Sequence, residues 1–143
     1  MGQYDSTGNV SMVSKSFRKI TTSEGIVRIP EITVSDLTLG EKLLIWRKRK
    51  GFTQKEAAPY LSMSWNFYKE VENGKREIRL TEIPFIGELE ANEICLILRK
   101  RSGWTINECA EDAGISRYWY NMMEKGKVSP NLLVRYWGED ERK

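Results

Sequence analysis

Four side chains able to bond or stack on nucleic-acid bases share one face of a short helix predicted at residues 65–73. At the helical period the outward residues are Trp65, Asn66, Lys69 and Glu70, and the inward ones are Met63, Tyr68 and Val71. An asparagine amide can bond adenine twice, a lysine reaches guanine acceptors or a phosphate, and a carboxylate accepts from cytosine. Such a face suits the major groove of DNA, and the alternative is an ordinary solvated helix surface.

Trp65 and Glu70 have less direct chemistry than Asn66 and Lys69. Trp65 would pack on a thymine methyl group. Glu70 has the wrong charge for a phosphate-rich surface, so it would accept from cytosine or pair with Lys69.

Two short helices and a tight turn must position this face. Thr53 and Glu56 form a capping box that begins the first helix. Ser64 is an N-cap for the second helix, and Gly74 ends it where a left-handed residue is favoured. The first helix presents a small apolar face, which consists of Ala57, Ala58 and Leu61.

Two further helices are predicted. Thr38 and Glu41 form another capping box, which predicts a helix at residues 39–50 before the stop at Gly51. A short last helix is predicted at residues 131–137, followed by a charged, frayed end.

The first 37 residues are predicted to form a partly disordered, partly extended tail. Residues 1–14 are rich in small polar residues, and the β-branched run at residues 26–34 predicts a strand that Pro30 would confine to a sheet edge. The tail would pack against the helical body or, alternatively, reach along DNA. The basic side chains available for the second role are Lys15, Arg18, Lys19 and Arg28.

The helical pattern recurs after 52 residues. The shift aligns Gly51 with Gly103, Thr53 with Thr105, Glu56 with Glu108, Ala58 with Ala110, Ser64 with Ser116, Tyr68 with Tyr120, Glu72 with Glu124, Gly74 with Gly126 and Lys75 with Lys127. These are cap, turn and packing positions, so the pattern predicts a tandem repeat of one helical unit.

Residues 39–76 resemble the helix-turn-helix core of the Cro/lambda-repressor-like (XRE-type) family. The resemblance is carried by Leu43, Arg47, Arg49, Gly51, Thr53, Gln54, Glu56, Ala58, Leu61, Ser64, Glu72, Asn73, Gly74 and Lys75. It implies an all-α fold with two lambda-repressor-like units in tandem. The implied domains are an N-terminal tail at residues 1–37, a first unit at residues 38–80 and a second, diverged unit at residues 81–143.

The chain departs from the family pattern at two positions of the first unit. Ser62 stands where the family usually has the turn glycine, which Gly114 supplies in the second unit. Pro59 lies inside the first helix of the pair, where proline costs about 3 kcal/mol unless the helix kinks.

The resemblance also assigns roles to residues. It implies largely buried ion pairs, Arg47 with Glu72 and Arg99 with Glu124, that tie each first helix to a recognition helix. It implies that Gln54 anchors a phosphate at a helix N-terminus. The other DNA contacts implied for the first unit are Trp65, Asn66, Lys69, Glu70, Lys75 and Arg76, with Lys48, Lys50 and Arg79 completing a charge clamp.

The second unit leaves two interpretations open. Its outward positions are Arg117, Tyr118, Asn121 and Met122, and Ile106 replaces the phosphate-anchoring glutamine. In one interpretation it reads a second DNA half-site through these positions, chiefly Arg117 and Asn121. In the other, a surface of Tyr118, Trp119, Met122 and Met123 serves dimerisation or protein contact.

Charge is concentrated on the first unit. Residues 39–80 carry ten basic and five acidic side chains, a net charge of +5, whereas residues 81–143 carry nine basic and eleven acidic ones, a net charge of −2. This asymmetry favours a local phosphate-binding face over a generally basic protein.

The composition argues against catalysis. The chain has no histidine, so zinc sites lack their usual ligands and nucleophilic triads lack a base. We therefore expect no enzyme activity, cofactor or metal. Cys95 and Cys109 fall on predicted inner helix faces and are expected to be reduced core residues, a disulfide between them being the alternative.

The sequence thus predicts a sequence-specific double-stranded DNA-binding transcriptional regulator, in the first instance a repressor of a bacterial, phage or mobile-element operon. The alternative is a protein-interaction adaptor or dimerisation module that keeps the helix-turn-helix shape without reading DNA. The expected partner is DNA, with a second copy of the chain as a further one. No secretory signal or membrane span is evident, so we expect a cytoplasmic protein.

Overall fold

The computed structural model describes residues 16–80 and 86–141. Its strands are β1 (Phe17–Thr22), β2 (Gly25–Pro30) and β3 (Glu139–Asp140), and its α-helices are α1 (Leu39–Lys50), α2 (Gln54–Ala57), α3 (Trp65–Glu72), α4 (Ala91–Ser102), α5 (Ile106–Ala113), α6 (Arg117–Glu124) and α7 (Asn131–Trp137). Short 3-10 helices occupy Val34–Asp36 and Ala58–Leu61. The helices predicted at residues 39–50 and 131–137 are confirmed. The disorder predicted for residues 1–14 lies outside the described residues.

The prediction of an all-α fold is wrong, because the protein contains a three-stranded antiparallel sheet in the order β1-β2-β3 and is mixed α/β. β1 and β2 form a hairpin whose register runs from Phe17 opposite Pro30 to Thr22 opposite Gly25. The end predicted to be charged and frayed instead forms β3, which pairs with Val27 and Arg28 of β2.

The strand predicted within residues 26–34 is present as β2, but it is the central strand and not an edge strand. Pro30 is tolerated there because it is the last residue of β2. The short β3 reaches only Val27 and Arg28, so the missing N–H of Pro30 falls beyond the β2–β3 ladder.

The chain divides into two compact units. Among the described residues, one unit lies within residues 32–93, and the other combines residues 16–31 with residues 94–141. The division falls within α4, whereas the boundaries predicted from sequence lie after residues 37 and 80. Those boundaries stay a prediction.

Residues 32–93 contain the first copy of the repeated pattern, formed by α1, α2 and α3. Their buried core includes Leu43, Ile45, Ala57, Tyr68 and Val71. Thr38, Thr53 and Ser64 cap the three helices through their side chains, as predicted. Gly74 adopts φ 77, the left-handed conformation expected where α3 ends.

The element bounds repeat with the same shift as the sequence. Adding 52 to the bounds of α1 gives those of α4, and adding 52 to those of α3 gives those of α6. Residues 54–61 likewise correspond to α5, although in the first copy Pro59 ends α2 after one turn and the chain continues as a 3-10 helix. Ser62 adopts φ 57 and Gly114 φ 75, so serine keeps the turn conformation of the glycine it replaces.

The other unit packs α7 against the sheet. Val27 and Ile29 of β2 and Leu133 and Val134 of α7 are buried. Gly138 lies so close to β2 that a Cβ atom there would be 2.6 Å from the carbonyl oxygen of Arg28. Both cysteines are buried and free, so the alternative of a disulfide is wrong, and burial raises the pKa of the Cys95 thiol to about 12.

Gly40 provides a first test of the packing that positions α3. A Cβ atom at this position would lie 2.5 Å from the carbonyl oxygen of Glu72 and 2.8 Å from that of Val71. We expect Gly40→Ala to lower the free energy of unfolding by about 1–3 kcal/mol, the usual cost of overpacking. Lys50→Ala, at the exposed end of the same helix, is the control and should change stability little. Urea unfolding measures both, and equal stability of the two variants would contradict close α1–α3 contact.

Candidate nucleic-acid interface

The inner face of α3 is fixed in the core of its unit. Ser64 accepts the backbone N–H of Phe67 and begins the helix. Tyr68 and Val71 are almost completely buried, and the Tyr68 hydroxyl donates to the carbonyl oxygen of Leu43 in α1 at 3.4 Å. Since one side of α3 is held in this way, its opposite side is presented to solvent in a defined orientation.

The Arg47–Glu72 ion pair is present and joins α1 to α3. Arg47 Nε lies 2.8 Å from Glu72 Oε2, and Arg47 Nη2 lies 2.9 Å from Oε1, so the contact is bidentate. The two side chains are only 11% and 4% exposed. The third guanidinium nitrogen donates to the carbonyl oxygen of Phe52, just after the end of α1.

Burial alone would raise the pKa of the Glu72 carboxyl, but hydrogen bonds from Arg47 and Gln54 hold that pKa below its ordinary value. The same pairing raises the pKa of Arg47 against the opposing effect of burial. Both groups are therefore charged throughout the neutral range.

The Arg99–Glu124 pair is also present and has the same geometry. Its two contacts measure 2.7 and 2.8 Å, and Arg99 Nη1 donates to the carbonyl oxygen of Trp104 at 2.9 Å. Phe52 and Trp104 are themselves 52 residues apart. The repeat therefore extends from helix bounds to individual hydrogen bonds.

The four outward residues of α3 lie where the sequence predicts. Trp65 is 48% exposed and Asn66 is exposed, while Lys69 and Glu70 are partly exposed. Lys69 Nζ lies 5.0 Å from the centre of the Trp65 ring, and Lys55 Nζ of α2 lies 5.8 Å from it. Two cations thus lie over the indole ring, which favours one orientation of a large, exposed aromatic side chain.

Lys55 is a member of this surface that the sequence analysis missed. It immediately follows Gln54 and lies ten positions before Trp65. Their proximity depends on the turn between α2 and α3, so helical periodicity within either helix does not reveal it.

Gln54 has a contact that the sequence did not predict. Its Nε2 donates to Glu72 Oε1 at 2.8 Å, so the amide completes the hydrogen bonding of the Arg47–Glu72 pair. Its assignment as a phosphate anchor stays a prediction. In the described geometry Gln54 helps to hold α3 in place through its bond to Glu72.

Glu70 pairs with Arg76 and not with Lys69. Arg76 Nε donates to Glu70 Oε1 at 2.8 Å, and the guanidinium lies over the Phe67 ring at 4.9 Å. Phe67 was not singled out from the sequence, because the position of Arg76 depends on how the chain turns after Gly74. Lys75 is exposed, as is Arg76.

The exposed basic residues of the first copy and its flanks include Lys48, Lys50, Lys55, Lys75 and Arg79, of which Lys55 lies beside Trp65. Arg49 has a structural role instead: it forms a bidentate ion pair with Glu93 and donates to the carbonyl oxygens of Ile86 and Glu88. It therefore fastens the end of α1 to the segment that leads into α4.

The outward face of α6 differs in character from that of α3. Arg117 is exposed, Tyr118 and Trp119 are 62% and 52% exposed, and Asn121 and Met122 are partly exposed. Tyr118 and Trp119 contact each other edge to face. The inclusion of Met123 in this surface is wrong, because Met123 is 7% exposed and belongs to the core of its unit.

The basic residues proposed for an N-terminal arm are mostly paired with acidic residues of the same unit. Arg18 forms a bidentate pair with Glu31, Lys19 lies 3.0 Å from Glu141, and Arg28 lies 3.7 Å from Glu139. Lys15 lies outside the described residues.

Within residues 16–80 and 86–141, no group of three or more acidic or cysteine side chains is arranged to hold a metal ion. None of the helices in this part of the chain is both long enough and apolar enough to cross a bilayer.

Comparisons with known proteins add no assignment. No family model, curated protein or solved structure matches the chain. The resemblance to XRE-type helix-turn-helix domains therefore stays a prediction, supported by the residues described above.

The Arg47–Glu72 pair can be tested by comparing single and double substitutions. Arg47→Met leaves a buried carboxylate without its cation and should cost about 3–5 kcal/mol of the free energy of unfolding. Arg47→Met/Glu72→Met removes both charges and should recover part of that loss. Chemical denaturation at neutral pH measures each, with Lys50→Met as the exposed control. Arg47→Met behaving like the control would show that the pair does not constrain α3.

Proposed function

We propose that the chain is a sequence-specific double-stranded DNA-binding protein that acts as a transcriptional regulator, with α3 of the first copy as its recognition helix. The observation that carries this proposal is the combination of a locked inner face and an exposed outer face on α3. Trp65 and Asn66 are available to a partner, while Tyr68, Val71 and the Glu72 carboxylate hold the helix in place. A recognition helix needs both properties, because base contacts require a fixed register.

Charge supports the same surface. The net charge of +5 on residues 39–80 and exposed lysines such as Lys55, which lies beside Trp65, suit phosphate contacts. In this mechanism the lysines hold the protein on the backbone, and Asn66 and Lys69 contact base edges. Regulation follows from occupancy of the site, in the first instance as repression, with no chemical step.

A second candidate function, protein contact, is favoured for the second copy (α4, α5 and α6). Tyr118 and Trp119 expose more than half of their surface on α6, where the first copy has Asn66 and Phe67. The net charge of residues 81–143 is −2, and Ile106 replaces Gln54. Exposed aromatic side chains on a surface without excess positive charge suit a protein partner, including a second copy of the chain.

Base reading by Asn66 can be separated from phosphate binding by Lys75. Asn66→Ala should reduce discrimination at one base pair by about 1–3 kcal/mol, because a bidentate adenine contact is lost. Lys75→Ala should weaken binding to all DNA sequences alike. It should also reduce the magnitude of the slope of log affinity against log salt concentration by about 0.9. Duplexes selected from a random pool and titrated at several salt concentrations give both quantities. An unchanged sequence preference for the Asn66 variant would remove this residue from the reading set.

The role of the second copy can be decided by footprinting. If α6 contacts protein, Arg117→Ala should leave the length of the protected DNA and the affinity unchanged, since no base contact is lost. Trp119→Ser should then alter the oligomeric state in sedimentation measurements. A shortened footprint for Arg117→Ala would instead show that the second copy reads DNA.

A further inference from the structure

Glu70 carries a charge opposite to that of Lys69, the other ionisable residue on the outward face of α3. A carboxylate beside DNA phosphates weakens binding, since like charges repel across the short distances of a docked interface. In the structure this charge is offset by Arg76, whose Nε lies 2.8 Å from Glu70 Oε1. The free protein thus presents Glu70 and Arg76 as a paired unit.

The position of Arg76 is further defined by an aromatic ring. Its guanidinium lies 4.9 Å from the centre of the ring of Phe67, a partly buried residue. Phe67 and Glu70 neighbour each other on the helix, so both contacts hold Arg76 at one flank of the outward face of α3.

Because the pair is exposed, Arg76 can change its partner at little cost in free energy. The side chains of Arg76 and Glu70 are 50% and 45% exposed, in contrast to the buried Arg47–Glu72 pair. Solvent-exposed ion pairs contribute little net stability, and guanidinium binds phosphate as readily as carboxylate. A phosphate that reaches this flank can compete with Glu70 for Arg76.

We propose that Glu70 is a specificity-determining residue that works through this exchange: Arg76 leaves Glu70 for a DNA phosphate on docking, and the released carboxylate requires a cytosine amino group as its new partner. The inference rests on the proposed DNA binding by α3. Where cytosine is present, its N4 group donates to Glu70 and restores a hydrogen bond. Where it is absent, Glu70 is left facing DNA without a partner, and the complex is weakened.

Glu70 therefore discriminates mainly by penalising wrong sequences. Because Arg76 gains its phosphate contact only by leaving Glu70, the phosphate contact and the base contact are energetically coupled. The second copy lacks this arrangement, since Met122 and Val128 occupy the corresponding positions.

The test is a double-mutant cycle with Glu70→Gln, Arg76→Gln and the double variant. Each full-length protein is titrated by fluorescence anisotropy against a duplex selected by the wild type and against a mixture of random duplexes. Glu77→Gln is the matched control, because it removes one exposed carboxylate nearby without touching the pair. Circular dichroism checks that each variant, altered only at exposed or partly exposed positions, retains its helices.

We expect Glu70→Gln to tighten binding to random duplexes by about three- to tenfold, as for removal of one repulsive charge. The ratio of selected to random affinity should fall by about fivefold or more, and sites selected by the variant should lose a preferred cytosine. In the Arg76→Gln background, Glu70→Gln should increase the affinity for random duplexes by a smaller factor. Without Arg76 there is no ion pair to break on docking, so its removal no longer contributes to the gain. Glu77→Gln should leave the affinity ratio unchanged.

Two outcomes would overturn the exchange while leaving DNA binding intact: an equal gain from Glu70→Gln in both backgrounds, or an unchanged affinity ratio. The first would reduce Glu70 to a general repulsive charge. If the wild type shows no salt-dependent binding to any duplex, the proposed function fails, and this inference fails with it.

Discussion

The buried pairing of a guanidinium with a carboxylate is the constraint on which the arrangement of the first copy depends. Arg47 of α1 donates hydrogen bonds both to the Glu72 carboxylate of α3 and to the carbonyl oxygen of Phe52. One side chain therefore joins α1, the turn that follows it and α3. Neither charge can be left alone in this environment without a large cost. The second copy repeats these bonds although its four positions equivalent to Trp65, Asn66, Lys69 and Glu70 all differ. The exposed face can therefore change in sequence while the buried hydrogen bonds that hold the helices stay the same.

The first copy also accommodates two residues that disfavour its backbone. Pro59 is compatible because the helix tightens to a 3-10 geometry, which changes the donors needed in that turn. Ser62 then takes the left-handed conformation at a cost of about 1 kcal/mol relative to glycine. In the second copy, where Gly114 occupies the turn, α5 is a regular helix over its whole length. The surrounding contacts, not local preference, fix the turn in the first copy.

The features that the sequence predicted well depend on neighbouring residues or recur in both copies. Caps such as Thr38 and Ser64 act within one helical turn, so the helix bounds followed from short stretches of sequence. Of the sheet only β2 was predicted, because β1 is short and charged, and the two-residue β3 pairs with residues more than a hundred positions earlier. Side-chain partners on the candidate surface were the hardest to predict. The contact of Lys55 with Trp65 and that of Arg76 with Glu70 both cross a turn, where helical spacing carries no information.

The pairing of β3 with β2 bears on how the chain acquires its structure during synthesis. Residues 32–93 are contiguous, so that unit has all of its own contacts available once it has left the ribosome. The other unit joins Val27 to Asp140, and its last strand cannot form until the ribosome has passed that position. Closing so long a loop costs conformational entropy and slows folding. Helix α3 can therefore be assembled before the sheet is complete, and the order of maturation is set by topology.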